Sequence, residues 1–381
     1  MSAPSAAPGW SPPPYPYDRL DDYRRTALRR WGDDGGLVDL SIGTPCDPPP
    51  PAVVDALAGS GQERGYPTSI GSLAFRTAAA EWMSRRFAVT ADPARELAAC
   101  VGTKEFVATL PQWLRLRSPE RDTVLFPAVS YPTYAMGATL AGCRAVAVAC
   151  DEQWRIDLGD IDPGDAARAL CLWVNSPGNP AGGLDDLDAA AAWGRRHHVP
   201  VFSDECYVEF TWDGPGRSVL GAGAGFDGLV AVHSLSKRSN LAGLRVGFYA
   251  GDADLVSYLS EVRKHVGLMV PGPVQVAATV ALSDDTHVEE QRSRYRERLE
   301  LCASILRAIG VEASLPGGSF YLWVAAPAGD AWGFTARLAE EAGTLVTPGD
   351  TFGPVGSPFV RVALVQPIER LQLVARRLGV A

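Results

Sequence analysis

Lysine is scarce in this sequence. Only three of its 35 basic residues are lysine, namely Lys104, Lys237 and Lys264, and all the others are arginine. A guanidinium group stays protonated, so arginine cannot replace an amine that must form an imine. Any Schiff-base chemistry must therefore use one of three side chains.

The sequence also lacks an excess of positive charge and long apolar runs. Its 381 residues carry a formal net charge of −9. Nucleic-acid affinity comes mainly from basic surfaces that neutralise phosphates, so we expect no nucleic-acid partner. Apolar runs such as residues 169–174 are far shorter than the roughly 20 residues of a membrane-spanning helix, so we expect no membrane association either.

Paired cysteine motifs are absent. The seven cysteines are scattered and include no C-x-x-C pair, which fits reduced, buried thiols better than a disulfide framework or a zinc site. The N-terminus has neither the basic region nor the continuous apolar region of a secretory signal. These features predict a cytoplasmic protein with no structural disulfide and no bound metal.

Short apolar segments alternate with helical segments along most of the chain. TVLFPAV, AVAVAC, ALCLWV, VPVFSDE and LVAVHSL are typical of buried strands, and amphipathic or Ala-rich stretches lie between several of them. Such alternation predicts an α/β fold with a mostly parallel central sheet flanked by helices. After about residue 285, a long charged helix and the isolated strands SFYLWVAA and FVRVALV indicate a second, smaller α/β domain.

These changes along the chain predict four regions. A Pro-rich arm, whose composition favours extended chain, covers residues 1–17, and residues 18–50 form a segment that joins the small domain. The large domain covers residues 51–284, and the small C-terminal domain covers residues 285–381.

The segment from Ser234 to Arg245 directly follows the strand LVAVHSL. Ligands of open α/β sheets bind at the carboxyl ends of strands. Lys237 lies in this segment among serine hydroxyls, with Arg245 eight residues later. The hydroxyls and the arginine are good hydrogen-bond donors to a phosphate group. Lys237 is therefore the strongest of the three imine candidates.

Three other motifs are weak when each is taken alone. The strand VPVFSDE ends at Asp204 and Glu205, with Tyr207 close behind, and Asn179 lies in an N-P-A-G turn after the strand ALCLWV. Gly102 opens a helix whose free backbone N–H groups would attract a phosphate. Each motif also fits an ordinary turn or helix cap.

In chain order, the motifs G-T-K-E, N-P-A-G, D-E-C-Y and S-L-S-K-x7-R resemble the pyridoxal-phosphate signature of class I/II aminotransferases of fold type I. The resemblance extends from SIGTP near the start to FVRVAL near the end, and only the Pro-rich arm lies outside it. It implies an aminotransferase that uses pyridoxal 5′-phosphate, with a large domain around a mostly parallel sheet and a smaller C-terminal α/β domain.

The resemblance implies a cofactor role for each matching residue. Lys237 would form the Schiff base and move protons, Asp204 would pair with the ring nitrogen, and Tyr207 with Asn179 would hydrogen-bond the ring hydroxyl. Tyr131 would stack on the ring. The phosphate would be held by Gly102, Thr103, Ser234, Ser236 and Arg245, with Lys104 beside them.

It also implies substrate contacts and a partner subunit. Arg361, Asn179 and the backbone at Gly43 would bind the substrate α-carboxylate. Tyr66 would reach the phosphate of the neighbouring subunit, which requires a homodimer with shared active sites.

At a finer level, the segments DECYVEFTWDG, HSLSKRSNLAG and VRKHVGLMVPGPVQ resemble actinobacterial N-succinyl-L,L-diaminopimelate aminotransferases of lysine biosynthesis. That resemblance implies glutamate as donor and N-succinyl-2-amino-6-ketopimelate as acceptor. Ala181 departs from the pattern, in which N-P-T-G is usual. A related enzyme of secondary metabolism, acting on another amino acid or catalysing lyase or side-chain substitution chemistry, would retain the same motifs.

Two further classes of protein, transcription regulators and nicotinamide enzymes, share a feature with this sequence. Transcription regulators that use this domain as a sensor carry a basic helix-turn-helix before it, whereas only the Pro-rich arm precedes SIGTP here. Residues 223–228 match the G-x-G-x-x-G fingerprint of nicotinamide enzymes, which requires a strand before it and a helix after it. Here a strand follows, so we predict a connecting loop.

Overall fold

The computed structural model describes residues 10–221, 223 and 225–380. These residues form twelve strands: β1 Val38–Asp39, β2 Leu97–Cys100, β3 Thr123–Pro127, β4 Arg144–Val148, β5 Ala169–Asn175, β6 Val201–Asp204, β7 Leu229–Ser234, β8 Gly247–Gly251, β9 Tyr321–Ala325, β10 Thr344–Leu345, β11 Thr347–Pro348 and β12 Phe359–Ala363. They also form thirteen α-helices: α1 Asp21–Trp31, α2 Pro51–Ala58, α3 Leu73–Phe87, α4 Thr103–Arg117, α5 Thr133–Leu140, α6 Pro163–Arg168, α7 Leu187–His197, α8 Leu235–Arg238, α9 Ala253–His265, α10 Gly272–Ser283, α11 Thr286–Ala308, α12 Ala331–Ala342 and α13 Ile368–Arg377. Short 3₁₀ helices include Pro16–Leu20, Val208–Phe210 and Ala242–Leu244.

A seven-stranded sheet in the order β2-β8-β7-β6-β5-β3-β4 forms the centre of the fold. Strands β3 to β7 pair in parallel, and only β8 runs antiparallel to its neighbours β2 and β7. Every residue of β3, β5, β6 and β7 is buried, as expected for apolar strands covered on both faces. The predicted fold, with a mostly parallel sheet flanked by helices, is confirmed.

Helices cover both faces of this sheet. Successive side chains of a strand point to opposite faces. In β7, Leu229 and Ala231 belong to one apolar cluster with α3, α7 and α10, whereas Val230 and Val232 belong to another with α4, α5 and α9.

Two smaller sheets are formed by strands that come before β2 or after β8 in the chain. The antiparallel sheet β11-β12-β9 and the parallel pair β1-β10 both include strands from after residue 320. One apolar cluster joins Val38 and Leu40 to residues from Leu299 to Val374, so the N-terminal segment packs with the C-terminal part of the chain. The proposed boundaries between the four regions stay a prediction.

Three strands of the central sheet end in polar residues. Asn175, Asp204 and Ser234 are the last residues of β5, β6 and β7, which are neighbouring parallel strands. We call this side of the sheet the carboxyl edge, and the side at which β3, β5, β6 and β7 begin the amino edge.

The glycine-rich segment lies at the amino edge. Its last glycine, Gly228, directly precedes β7, so a strand follows the pattern where the nicotinamide fingerprint needs a helix. One position of the pattern, Ala224, lies outside the described residues. Among the described residues, none of the helices combines the length and apolar character that a membrane span would need.

Candidate active site

A cavity of about 460 Å³ lies at the carboxyl edge. Most of the residues that the sequence predicted for the site line it: Gly43, Thr103, Lys104, Tyr131, Asn179, Asp204, Tyr207, Ser234, Ser236, Lys237, Arg245 and Arg361. Gly102 lies next to it, beside Arg245. Tyr66 is the exception, because its side chain is fully exposed and does not line the cavity within one chain.

Lys237 lies in α8, the short helix that directly follows β7. Its Nζ donates a hydrogen bond to the carbonyl of Gly43. The pKa of Lys237 is lowered from 10.5 to about 8, chiefly by burial; the charges of Arg361 and Arg245 contribute to this shift, and Cys206 and Asp204 oppose it. The neutral amine is therefore accessible near neutral pH, as a nucleophile or general base requires.

Asp204 presents a buried carboxylate to the same cavity. One of its oxygens accepts a hydrogen bond from the Tyr134 hydroxyl at 2.9 Å, and the other accepts from the backbone N–H of Cys206 at 3.2 Å. Burial raises the pKa of Asp204, while these two hydrogen bonds oppose the shift. The carboxylate is thus held in one orientation and is suited to pair with a cationic group.

The start of α4 forms the seat that the sequence predicted for a phosphate. Gly102 precedes the helix with a φ of +77°, and a Cβ there would collide with the guanidinium of Arg245. Among the described residues, the N-cap position Gly102 gives the first turn of α4 no side-chain cap, which leaves its N–H groups available for an anion. Hydroxyl groups from Thr103, Ser234 and Ser236 line the same part of the cavity.

Arg361 supplies a guanidinium that has no acidic partner in the part of the chain that the structure describes. It is 2% exposed and lies between the rings of Tyr321 and Phe352, whose centroids are 4.3 and 4.6 Å from its Cζ. One of its Nη atoms donates to the side-chain oxygen of Asn179 at 2.8 Å.

The other partners of Arg361 are also neutral. One Nη donates to the carbonyl of Ser41 at 2.6 Å and to the hydroxyl of Tyr17 at 3.1 Å, while Nε has no hydrogen-bond partner among the described residues. A buried cation that has only neutral partners is suited to bind an anion from solution.

Sequence reasoning missed several residues of the cavity. Tyr15, Tyr17, Asn175, Cys206 and Tyr321 line it as well. The Tyr321 hydroxyl hydrogen-bonds that of Tyr207 at 2.9 Å and occupies the space that a side chain at position 43 would need, which explains the glycine there.

A sequence signal existed for only part of this set. Tyr321 lies in the segment PGGSFYLW and Cys206 lies in D-E-C-Y, both of which belong to the family resemblance. By contrast, Tyr15 and Tyr17 belong to the Pro-rich arm, where nothing in the local sequence indicates a contact with the site.

The three lysines differ in their surroundings. Lys104 lines the cavity and donates a hydrogen bond to the Tyr15 hydroxyl at 3.2 Å. Lys264 is exposed and pairs with Glu261 at 3.6 Å, outside the cavity. Its neighbour Arg263 forms a buried ion pair with Glu105 in the first turn of α4.

Comparison with known proteins agrees with this geometry. The model of the family "Aminotransferase class I and II" matches residues 36–378, and the chain belongs to that family. It is an aminotransferase that depends on pyridoxal phosphate. The residues present fit this cofactor: an amine with a lowered pKa, a buried carboxylate and an uncapped helix start all face one cavity.

Individual relatives are named for different substrates. The chain is 41% identical to the 4-dedimethylamino-4-oxo-anhydrotetracycline transaminase OxyQ of Streptomyces rimosus, over 96% of this chain and 99% of that protein. It is 34% identical to the LL-diaminopimelate aminotransferase of Aquifex aeolicus, with 96% of both chains covered. A solved structure of a probable N-succinyldiaminopimelate aminotransferase from Thermus thermophilus matches with a TM-score of 0.87 and 32% identity, over 96% of this chain and all of that one.

Proposed function

We propose that the protein transfers the amino group of glutamate to a 2-oxo acid of the diaminopimelate type, with N-succinyl-2-amino-6-ketopimelate as the acceptor. Bound pyridoxal phosphate supplies an electron sink for the Cα–H bond that must break. In this proposal the protein binds and orients the substrate and moves its proton.

The proposed roles follow from the position of each group. Lys237 would attach the cofactor and, once displaced by the substrate amine, would move the proton between the substrate Cα and C4′ of the cofactor. Asp204 would keep a positive charge on the cofactor ring, and Tyr207 with Asn179 would hydrogen-bond the ring hydroxyl. The phosphate is held by the start of α4, beginning at Gly102, together with Arg245 and the nearby serine and threonine hydroxyls.

The observation that carries the proposal is the unpaired guanidinium of Arg361. It lies in the same cavity as Lys237, and its partners among the described residues are all neutral. An α-carboxylate can accept two parallel N–H groups from such a guanidinium. This favours α-amino and 2-oxo acids as substrates.

The choice of acceptor draws its support from the relatives. A protein that is 34% identical is named as acting on LL-diaminopimelate, and the similar Thermus structure is named for the N-succinylated form. Exposed Lys104 at the same cavity would suit an acceptor with a second, distal carboxylate.

A second candidate acceptor is a polycyclic ketone, because the 41% identical relative is named for an oxo-anhydrotetracycline. Arg361 does not exclude it, since the amino donor needs the α-carboxylate clamp in either case. The donor half-reaction is therefore shared by the two candidates, and only the acceptor separates them.

The test is an acceptor panel with glutamate as the amino donor. It should contain N-succinyl-2-amino-6-ketopimelate, an unsuccinylated long-chain 2-oxo dicarboxylate, pyruvate and a polycyclic ketone. We expect the succinylated compound to give the highest kcat/KM. A higher value for the ketone would replace the proposed acceptor, and failure of glutamate to convert the bound cofactor to its amine form would remove the proposed donor.

We also propose that the active enzyme is a homodimer in which Tyr66 of one subunit completes the phosphate site of the other. Its side chain is fully exposed within one chain, so it is free to reach a second subunit. Sedimentation of the wild-type holoenzyme and cofactor affinity of Tyr66→Phe test the two parts. A monomer, or an unchanged dissociation constant for pyridoxal phosphate, would contradict them.

A further inference from the structure

The Pro-rich arm contributes two tyrosines to the cavity. Tyr15 and Tyr17 lie before residue 36, where the match to the family model begins. Their rings contact each other with centroids 5.6 Å apart. The two hydroxyl groups point to different cations, Tyr15 to Lys104 and Tyr17 to Arg361.

The arm is fixed at the site by a separate anchor. Arg19 pairs with Asp350 at 3.0 Å, and its guanidinium lies over the ring of Trp332 at 4.2 Å. Tyr17 is part of the 3₁₀ helix Pro16–Leu20, whose last residue, Leu20, is buried. The tyrosine is therefore presented to Arg361 by an ordered turn.

The hydroxyl group of Tyr17 can still donate a hydrogen bond. Its oxygen accepts from an Nη of Arg361 at 3.1 Å, and among the described residues its own hydrogen has no acceptor. A phenol can accept one hydrogen bond and donate another at the same time. An anion that binds to Arg361 would lie within reach of both the guanidinium and this hydroxyl hydrogen.

We propose that Tyr17 is a substrate-binding residue whose hydroxyl donates a hydrogen bond to the α-carboxylate held by Arg361. Tyr17 thus adds a neutral donor beside the guanidinium of Arg361. The inference rests on the proposed function only in its use of a carboxylate substrate, whichever acceptor is the natural one.

Tyr15 provides a matched control on the same arm. Its hydroxyl accepts from Lys104 and makes no contact with Arg361, and its side chain is 51% exposed. Tyr17→Phe and Tyr15→Phe each remove one hydroxyl from the same arm and keep the ring. Only the first removes a donor from the α-carboxylate position.

The experiment uses the holoenzyme and two readouts. Acetate, a carboxylate that cannot react, is titrated while the visible absorption band of the bound cofactor is followed, and Arg361→Lys identifies the part of the response that belongs to this site. The steady-state kcat and KM for glutamate are measured separately.

We expect Tyr17→Phe to weaken acetate binding about tenfold and to raise the glutamate KM by a similar factor, with kcat within about twofold of wild type. A hydrogen bond to a charged group contributes about this much. We expect Tyr15→Phe to bind acetate within about twofold of wild type.

Three results would overturn the inference. Unchanged acetate affinity in Tyr17→Phe would show that the hydroxyl does not contact the carboxylate. Tighter binding would show that Tyr17 competes with the substrate, and an equal loss in Tyr15→Phe would assign the effect to packing of the arm. Because acetate needs no turnover, a negative acceptor panel would end the proposed function without touching this test.

Discussion

The central sheet has a cavity at each of its two edges, and the two are nearly equal in size. The one at the carboxyl edge measures about 460 Å³ and the one at the amino edge about 480 Å³. Arginines line both, with four acidic residues at the amino edge and Asp204 alone at the carboxyl edge. Volume therefore does not distinguish them.

The difference lies in whether the charged groups have partners. At the amino edge, Arg117 pairs with Asp254, and Arg121 donates to the carbonyls of Ala169 and His198 at 2.8 and 3.0 Å. Asp252 there accepts from backbone N–H groups.

At the carboxyl edge, charged side chains lack partners of opposite charge among the described residues. Arg361 has only neutral partners among the described residues, and Lys237 has a pKa well below its usual value because it is buried. Buried polar groups that the fold leaves short of partners mark a place where a ligand completes the set. The comparison teaches that an active site is recognised by its unbalanced charges and not by its volume.

The largest expected effect is that of Lys237→Ala. It removes the amine that attaches the cofactor and moves the proton, so we expect transamination of glutamate to fall by at least about 10³-fold. Circular dichroism should show a folded protein. Lys264→Ala, which changes an exposed lysine outside the cavity, should keep wild-type activity. Activity above a tenth of wild type in Lys237→Ala would contradict the role given to the carboxyl edge.

Arg361→Lys should have the next largest effect. Lysine cannot reproduce the planar fork that lies between Tyr321 and Phe352, so we expect kcat/KM for glutamate to fall by about 10²-fold. Affinity for pyridoxal phosphate, measured by fluorescence quenching of the apoenzyme, should stay within about threefold. A large loss of cofactor affinity would mean that Arg361 holds the fold of the site and not the substrate.

A smaller, graded effect is expected for pH. Only the neutral amine of Lys237 can react, and its pKa is about 8 because burial disfavours the charged form. The rate at which the apoenzyme combines with pyridoxal phosphate should therefore rise about tenfold per pH unit below 8 and level off above it. Stopped-flow absorbance measures this rate. A rise that continues to pH 10 would show an ordinary lysine and would weaken the contrast between the two edges.

The smallest effect is expected at the amino edge. Arg195 lines that cavity, and its side chain donates to the carbonyl of Gly225 at 2.8 Å. For Arg195→Ala we expect kcat/KM within about twofold of wild type and a change in unfolding free energy within about 0.5 kcal/mol. A tenfold loss of activity would break the comparison, because it would give the amino edge a part in the reaction.

The parts of the structure that could be predicted from the sequence are those fixed by local pattern. Strands β3, β5, β6 and β7 are continuous apolar runs, and the polar residues at their ends fall at the carboxyl edge because parallel strands end together. That is why the sequence could place Asp204, Ser234 and Lys237 together at one cavity.

Other elements depend on tertiary pairing and gave no local signal. Strand β8, GFYAG, contains two glycines and becomes a strand because β2 and β7 flank it on both sides. Tyr17 was missed for a similar reason, since the contact between the arm and Arg361 joins residues 344 positions apart. The role of Tyr66 depends on a second subunit and stays a prediction.

The distribution of the three lysines has a practical consequence. Two of them, Lys104 and Lys237, line the active-site cavity, while Lys264 lies on the surface against Glu261. Among the side chains, an amine-directed reagent therefore has only three targets, and they report on three different situations. Peptide mapping after labelling would read cofactor occupancy from Lys237 and cover of the cavity mouth from Lys104, with Lys264 as an internal standard. The three native lysines thus report on the active site without any engineered residue.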